Sequence, residues 1–156
     1  MITWAVSVVL CAKTLLAFLL GLCIGIEREF HKSAAGIRTY AAVALGACVF
    51  GLVSTHAQGA SYYQSVVDPT RIAAQIVTGI GFLGAGVIFR SGSRTSGLTT
   101  AATIWSTAAV GLSIAFDLYV LAIFSTILIV SLLVLNYISP IRNLKSRINK
   151  LDDHTK

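Results

Sequence analysis

Apolar residues fall along this chain in long blocks, not in the alternation of a half-buried strand or the single stripe of a soluble amphipathic helix. The first block, residues 2–26, has Lys13 as its only charge. Blocks over 39–55, 72–89, 98–116 and 118–138 carry no charge at all. As helices rising 1.5 Å per residue they are roughly 25–35 Å long, against about 30 Å for the hydrocarbon core of a bilayer. The pattern therefore predicts an all-α membrane domain over residues 1–139. Its five spans are 4–26, 39–55, 72–89, 98–116 and 118–138, and a tail follows over 140–156. The first block is longer than a secretory signal and lacks its basic start and small-residue cleavage site, so it reads as a retained span. Lys13 has two readings there: it snorkels from the outer end of a shorter span, or it is embedded and needs a partner.

The third block is the most individual. Asp68-Pro69 reads as an N-cap followed by proline at the first helical position. Arg71 then falls in the first turn, where a cation faces the positive end of the helix dipole. On a helical wheel Ala74, Thr78, Gly81 and Ala85 share one narrow face, with Ile76, Ile80, Leu83 and Val87 opposite. Small residues let another backbone come close in lipid, so this face is expected to pack and this helix to be the one that the others pack against. On the fourth block, Thr99, Ala102, Thr103, Ser106 and Ser113 form a stripe of small and hydroxyl-bearing side chains. It is the expected partner for that face, either as ordinary packing or as the lining of a polar site.

Composition fixes the class. Of 156 residues, 56% are hydrophobic and 12% charged, about half the charged share of a soluble domain. The net charge of +6 is not spread like a nucleic-acid footprint, because the basic residues flank the apolar blocks. Ten of the twelve Lys and Arg lie after odd-numbered spans: Arg28, Lys32, Arg38, Arg90, Arg94 and five in the tail. The positive-inside rule then puts the amino terminus outside and the carboxyl terminus in the cytoplasm. In the tail, Ile141, Leu144, Ile148 and Leu151 recur at helical spacing, which suits an amphipathic helix on an anionic membrane surface. Tyr62 and Tyr63, in the polar stretch before the third span, suit a membrane–water interface. Cys11, Cys23 and Cys48 sit in apolar stretches without a Cys-x-x-Cys pair and are expected to pack as small apolar side chains.

Catalytic chemistry is not written in this chain: no nucleophile motif, phosphate loop or Cys/His metal cluster is apparent. Gly79-Ile80-Gly81-Phe82-Leu83-Gly84 matches G-x-G-x-x-G literally, but inside an apolar run without a preceding strand. Glu27, Glu29, Asp68 and Asp117 all fall at span ends, and a cation carrier usually has a carboxylate at mid-membrane. The charged cluster that begins at Glu27 is either a solvated loop that stops the first helix or, with Arg28 and Arg38, an ion-paired network at the membrane face.

Four blocks carry a family resemblance: Glu27-Arg28-Glu29 after the Gly21-Leu22-Cys23-Ile24-Gly25-Ile26 stretch; Ala35-Gly36-Ile37-Arg38-Thr39; the third span from Asp68 to Ile88; and Gly97-Leu98-Thr99-Thr100-Ala101-Ala102-Thr103-Ile104-Trp105. In this order they resemble the membrane domain of the MgtC/SapB family, over about residues 10–138. The resemblance implies a multi-pass bacterial inner-membrane protein, linked to growth when Mg²⁺ is scarce and, in pathogens, to survival inside phagocytes. With no catalytic set in the residues, no enzymatic activity and no cofactor are expected, and whether Mg²⁺ is bound is left open. The resemblance implies a modulator of other membrane proteins; the expected partners are lipids, membrane proteins or further copies of the chain, and the placement of the basic residues beside apolar blocks speaks against nucleic acid. A small oligomeric transporter or channel, with Asp68, Arg71, Thr99 and Thr103 near its pathway, is the alternative. Virulence-type members carry a further soluble carboxy-terminal domain, and the chain is expected to lie with the short SapB-like members. The residues matching the family pattern, and so expected to be functional or architectural, are Glu27, Arg28, Arg38, Asp68, Arg71, Thr99 and Thr100.

Overall fold

The computed structural model describes residues 4–56, 68, 70–92 and 94–135. Five helices, α1 (Trp4–Phe30), α2 (Ile37–His56), α3 (Thr70–Gly86), α4 (Leu98–Ala115) and α5 (Tyr119–Leu135), are joined in order, with a hairpin of β1 (Phe89–Ser91) and β2 (Arg94–Ser96) between α3 and α4. Three of them, α1, α2 and α4, are long and apolar enough to cross a membrane. The expected residues 136–138 of the fifth span, the tail over 140–156, Pro69, Tyr62 and Tyr63 lie outside the described residues.

The bundle is built around α2 and α4, not around α3. Gly21 and Gly25 of α1 meet Ala41 and Ile37 of α2, so those two helices run antiparallel. A methyl group at Gly21 would stand 2.6 Å from the Tyr40 carbonyl oxygen. One at Gly111 of α4 would run into the carbonyl of Ala44 on α2. Both positions let two backbones touch, the device by which helices associate in lipid. Two apolar clusters fill the joint. One holds Ile24, Tyr40, Ala47, Ile104 and Leu133; the other holds Ala17, Cys48, Val110, Ile114 and Ala122. Of the three cysteines only Cys48 is buried; Cys11 and Cys23 face outward and fill no gap within the chain.

The small face expected on α3 is turned the other way. Ala74, Thr78, Gly81 and Ala85 are all exposed, and a methyl group at Gly81 would find nothing within 4 Å. The side that packs carries Ile76, Ile80 and Val87, with Gly84 the only fully buried residue of the helix. Ile76 and Ile80 line a small cavity of about 110 Å³ together with Trp105, Ala108 and Leu112 of α4. The stripe expected to receive α3 is likewise displaced. Of its members Thr99 and Ala102 are exposed, while Thr103 is buried together with Thr100 and Thr107, and Gly84 of α3 faces Ala101.

Helix ends differ from the apolar blocks for local reasons. α1 continues four residues past Ile26, because Glu27 and Arg28 pair with each other and stay inside. It stops at Lys32, which has φ 51°, and the amide of Ser33 closes back on the Arg28 carbonyl at 3.1 Å. α4 ends the same way: Asp117 has φ 63°, and the amide of Leu118 donates to the Ser113 carbonyl at 2.9 Å. Both are left-handed closures that satisfy the last carbonyls of a helix. α3 stops at Gly86, short of Phe89, which pairs with Ser96 in the hairpin.

Candidate functional site

Antiparallel packing gives the molecule two polar ends. One holds the end of α1, the start of α2, the end of α3, the hairpin and the start of α4; it contains Arg28, Lys32, Arg38, Arg90 and Arg94 and is called here the basic end. At its centre Arg28 donates from Nε and Nη2 to the two carboxylate oxygens of Glu27, at 2.5 and 2.7 Å. Both residues are at least nine-tenths buried. A buried charge is held only when paired and hydrogen-bonded, and His31 adds to this pair from the same chain segment. His31, one turn on, places its Nδ1–H 2.8 Å from the Glu27 carbonyl and 3.1 Å from the carboxylate. Tyr40, wholly buried on α2, donates its hydroxyl to the Thr100 carbonyl on α4 across 3.5 Å. The hydroxyls of Ser33 and Thr100 are 3.0 Å apart. The cluster thus ties α1, the turn after it, α2 and α4 together.

Next to it, Glu29 takes a different role. Its carboxylate accepts the Ile37 amide at 3.1 Å, and so satisfies a free donor at the positive end of α2. Gly36 leaves room for that carboxylate, since a Cβ there would overlap it. Arg38 is exposed and stands outside the pair formed by Glu27 and Arg28. Thr103 is buried but bonds back to the Thr99 carbonyl at 2.7 Å; Thr107, Ser106 and Ser113 do the same one turn earlier in each case.

The opposite end holds the expected pair Asp68 and Arg71. Asp68 caps α3, accepting the amide and hydroxyl of Thr70 at 2.9 and 2.7 Å. Those bonds, the hydroxyl first, hold its carboxyl below the usual range, with a smaller contribution from the Arg71 charge. At the same end Lys13, buried near the middle of the first block, reaches Asp117 at 2.8 Å. Tyr119 donates to the same carboxylate oxygen at 2.6 Å. These two bonds, that of Lys13 first, keep the Asp117 carboxyl in its charged form to lower pH than usual. Lys13 thus has an acidic partner at the polar end where α4 stops.

The residues singled out in the sequence therefore separate. Glu27, Arg28, Thr100 and Thr103 gather at the basic end, with Arg38 and Thr99 exposed beside them. Asp68 and Arg71 stand at the other end, so the four residues proposed for one pathway do not share a site. Sequence reasoning missed Tyr40, Ser33 and His31. Only His31 had a signal, its place one helical turn after Glu27. Among the described residues no three His, Cys, Asp or Glu side chains converge as metal ligands, and every buried side-chain nitrogen and oxygen has a hydrogen-bond partner.

A family model described as the MgtC family matches residues 14–143. The chain belongs to the MgtC family. It is 49% identical over 115 residues to a Brucella abortus protein named Protein MgtC, covering 74% of this chain and 46% of that one. To Protein MgtC of Salmonella typhimurium it is 45% identical over 137 residues, 88% of this chain and 54% of the relative. An uncharacterized protein of Haemophilus influenzae is 42% identical over 127 residues, 78% and 52% of the two chains. The chain spans about half the length of these curated MgtC relatives. No solved structure matches it. α2, α3, α4, α5 and the part of α1 beyond Lys13 fall within the matched region, which therefore holds the whole basic end and, at the other end, Asp68, Arg71 and Asp117 but not Lys13.

Proposed function

We propose that this MgtC-family chain is a non-enzymatic bacterial inner-membrane protein of five spans that serves adaptation to low Mg²⁺, and in pathogens intracellular survival, by modulating another membrane protein. Its basic end faces the cytoplasm, following the excess of Lys and Arg there. The observation that carries the reading is the separation of the two polar ends. Each is closed on itself, and the stretch between them is filled by Ala17, Ala44, Cys48 and Val110, all buried. On α4 the hydroxyls of Thr103, Ser106, Thr107 and Ser113 are bonded to carbonyls of their own helix. Among the described residues an ion crossing one chain would meet no run of oxygen ligands to replace its water. Exposed Phe30, Phe82, Val120 and Phe124 give the outer surface the apolar character of a lipid-facing one.

Liposomes containing the purified chain, assayed for Mg²⁺ and proton flux alongside the Arg71→Ala protein, test this. The expected result is no flux above empty liposomes from either, with a low-Mg²⁺ growth defect in cells that carry the Glu27→Gln chain. Flux in the wild type that Arg71→Ala abolishes, with folding intact, would replace the modulator by a transporter.

A further inference from the structure

Between α2 and α3 runs an open groove of about 680 Å³. Its walls are apolar side chains and glycines, with Thr39 and Gln75 as the only polar members. Two rows of residues at four-residue spacing make it: Ala42, Gly46 and Phe50 on α2, and Gln75, Gly79 and Leu83 on α3. Extended one turn backwards, the first row begins at Arg38 and the second at Arg71. Since both α2 and α3 run antiparallel to their chain neighbours, the groove ends in Arg38 at the basic end and in Arg71 at the other. Both arginines are exposed.

The length of the groove selects among apolar occupants. Thr39 and Phe50 are eleven residues apart, about 16 Å along a helix, close to half of a bilayer core of about 30 Å. That is the depth of one leaflet, reached by one acyl chain. Charge selects the end for the head group. At the basic end the described residues set Arg28, Lys32, Arg38, Arg90 and Arg94 against Glu27 and Glu29, five basic to two acidic. Glu29 is engaged on the Ile37 amide, and among the described residues Arg38 makes no ion pair. At the other end Lys13 and Arg71 are balanced by Asp117 and Asp68, and Asp68 lies near enough to Arg71 to feel its charge. An anion is drawn to the first end and not to the second.

We infer that the groove between α2 and α3 is a binding site for an anionic phospholipid, with one acyl chain along the glycine-bearing rows and its phosphate on Arg38 beside the Thr39 hydroxyl. The site rests on the chain being embedded in a bilayer, and on neither the modulator role nor the orientation. Binding measured in detergent micelles therefore fails or succeeds separately from the flux assay.

The test is native mass spectrometry of the whole chain in detergent, titrated with phosphatidylglycerol and with phosphatidylcholine of the same acyl chains. Wild type should hold phosphatidylglycerol about fivefold more tightly, the effect of about one basic side chain near an anionic head group. Arg38→Gln should reduce that preference to within about twofold, and Arg71→Gln should leave it unchanged. Gly46 and Gly79 each have nothing within 4 Å of a built Cβ, so Gly46→Leu with Gly79→Leu fills the groove without moving a backbone and should weaken both lipids. Circular dichroism melting confirms that each variant is folded. No preference in the wild type, a preference lost with Arg71→Gln instead, or full binding by the filled variant would overturn the assignment. So would a filled variant that loses an oligomer and keeps its lipid, since a second copy would then be the occupant.

Discussion

Two sets of glycines in this molecule look alike in the sequence and do opposite things. On α1 and α4, Gly21 and Gly111 press directly on the backbone of α2. On α3, where glycines are densest, a methyl group at Gly79, Gly81 or Gly86 would meet nothing within 4 Å. Small residues permit close approach without ensuring that a neighbour comes. The joint of α1, α2 and α4 is fixed by backbone contact, and α1 carries a buried ion pair at its basic end. α3 is held by one apolar side and leaves a groove on α2 and a bare small face.

The largest expected effect lies inside the fixed joint. Glu27→Gln leaves the Arg28 guanidinium buried with half its partner gone, and should cost about 3–5 kcal/mol in reversible unfolding in detergent. Replacing both, with Glu27→Gln and Arg28→Met together, should cost less than Glu27→Gln alone, because no charge is then left buried. Gly21→Ala comes next: a methyl group 2.6 Å from the Tyr40 carbonyl must push α1 and α2 apart, at about 1–3 kcal/mol. A thermal midpoint unchanged by Gly21→Ala would mean that the two helices are not in backbone contact.

At the other end the effects are smaller. Asp117 is 64% exposed at its side chain while Lys13 is 7% exposed, so solvent screens much of their attraction. Asp117→Asn should cost up to about 1 kcal/mol and Lys13→Met less, because only the first strands a buried charge. The Asp117 carboxyl is held below its ordinary value. The contribution of the pair is therefore complete above the unfolded-state pKa of about 4 and is lost as pH falls through the folded value. Melting curves of wild type and Asp117→Asn should differ at pH 7 and converge toward pH 3; a difference that grows on acidification would contradict the pairing.

Much of this was legible beforehand, and the rest was not for identifiable reasons. Apolar blocks gave the order and type of all five helices, since length and lack of charge are properties of a segment alone. Asp68 as the cap of α3 was readable for the same reason, being settled within three residues. The face of α3 that packs was not, because a wheel separates small from large residues without saying where α2 and α4 stand. Lys13 and Asp117 are more than a hundred positions apart and meet only because the left-handed turn at Asp117 closes α4 beside α1. Tyr40 looked like one more aromatic in an apolar run; its value lies in reaching Thr100 on another helix. The hairpin over 89–96 cost α3 its last expected turn, since Phe89 is apolar enough to extend the block and pairs with Ser96 instead.

The most direct measurement compares one substitution at two places, Gly111→Ala on α4 and Gly81→Ala on α3, by thermal unfolding of the whole chain in one detergent. The chemistry is the same and only the surroundings differ. At Gly111 the added methyl group meets the Ala44 carbonyl, and the midpoint should fall sharply. At Gly81 it meets nothing, and the midpoint should hold or rise, since Ala is favoured over Gly within a helix by about 0.5–1 kcal/mol. Equal changes at the two sites, or a loss at Gly81 with Gly111 tolerant, would contradict a body of α1, α2 and α4 to which α3 is only loosely joined.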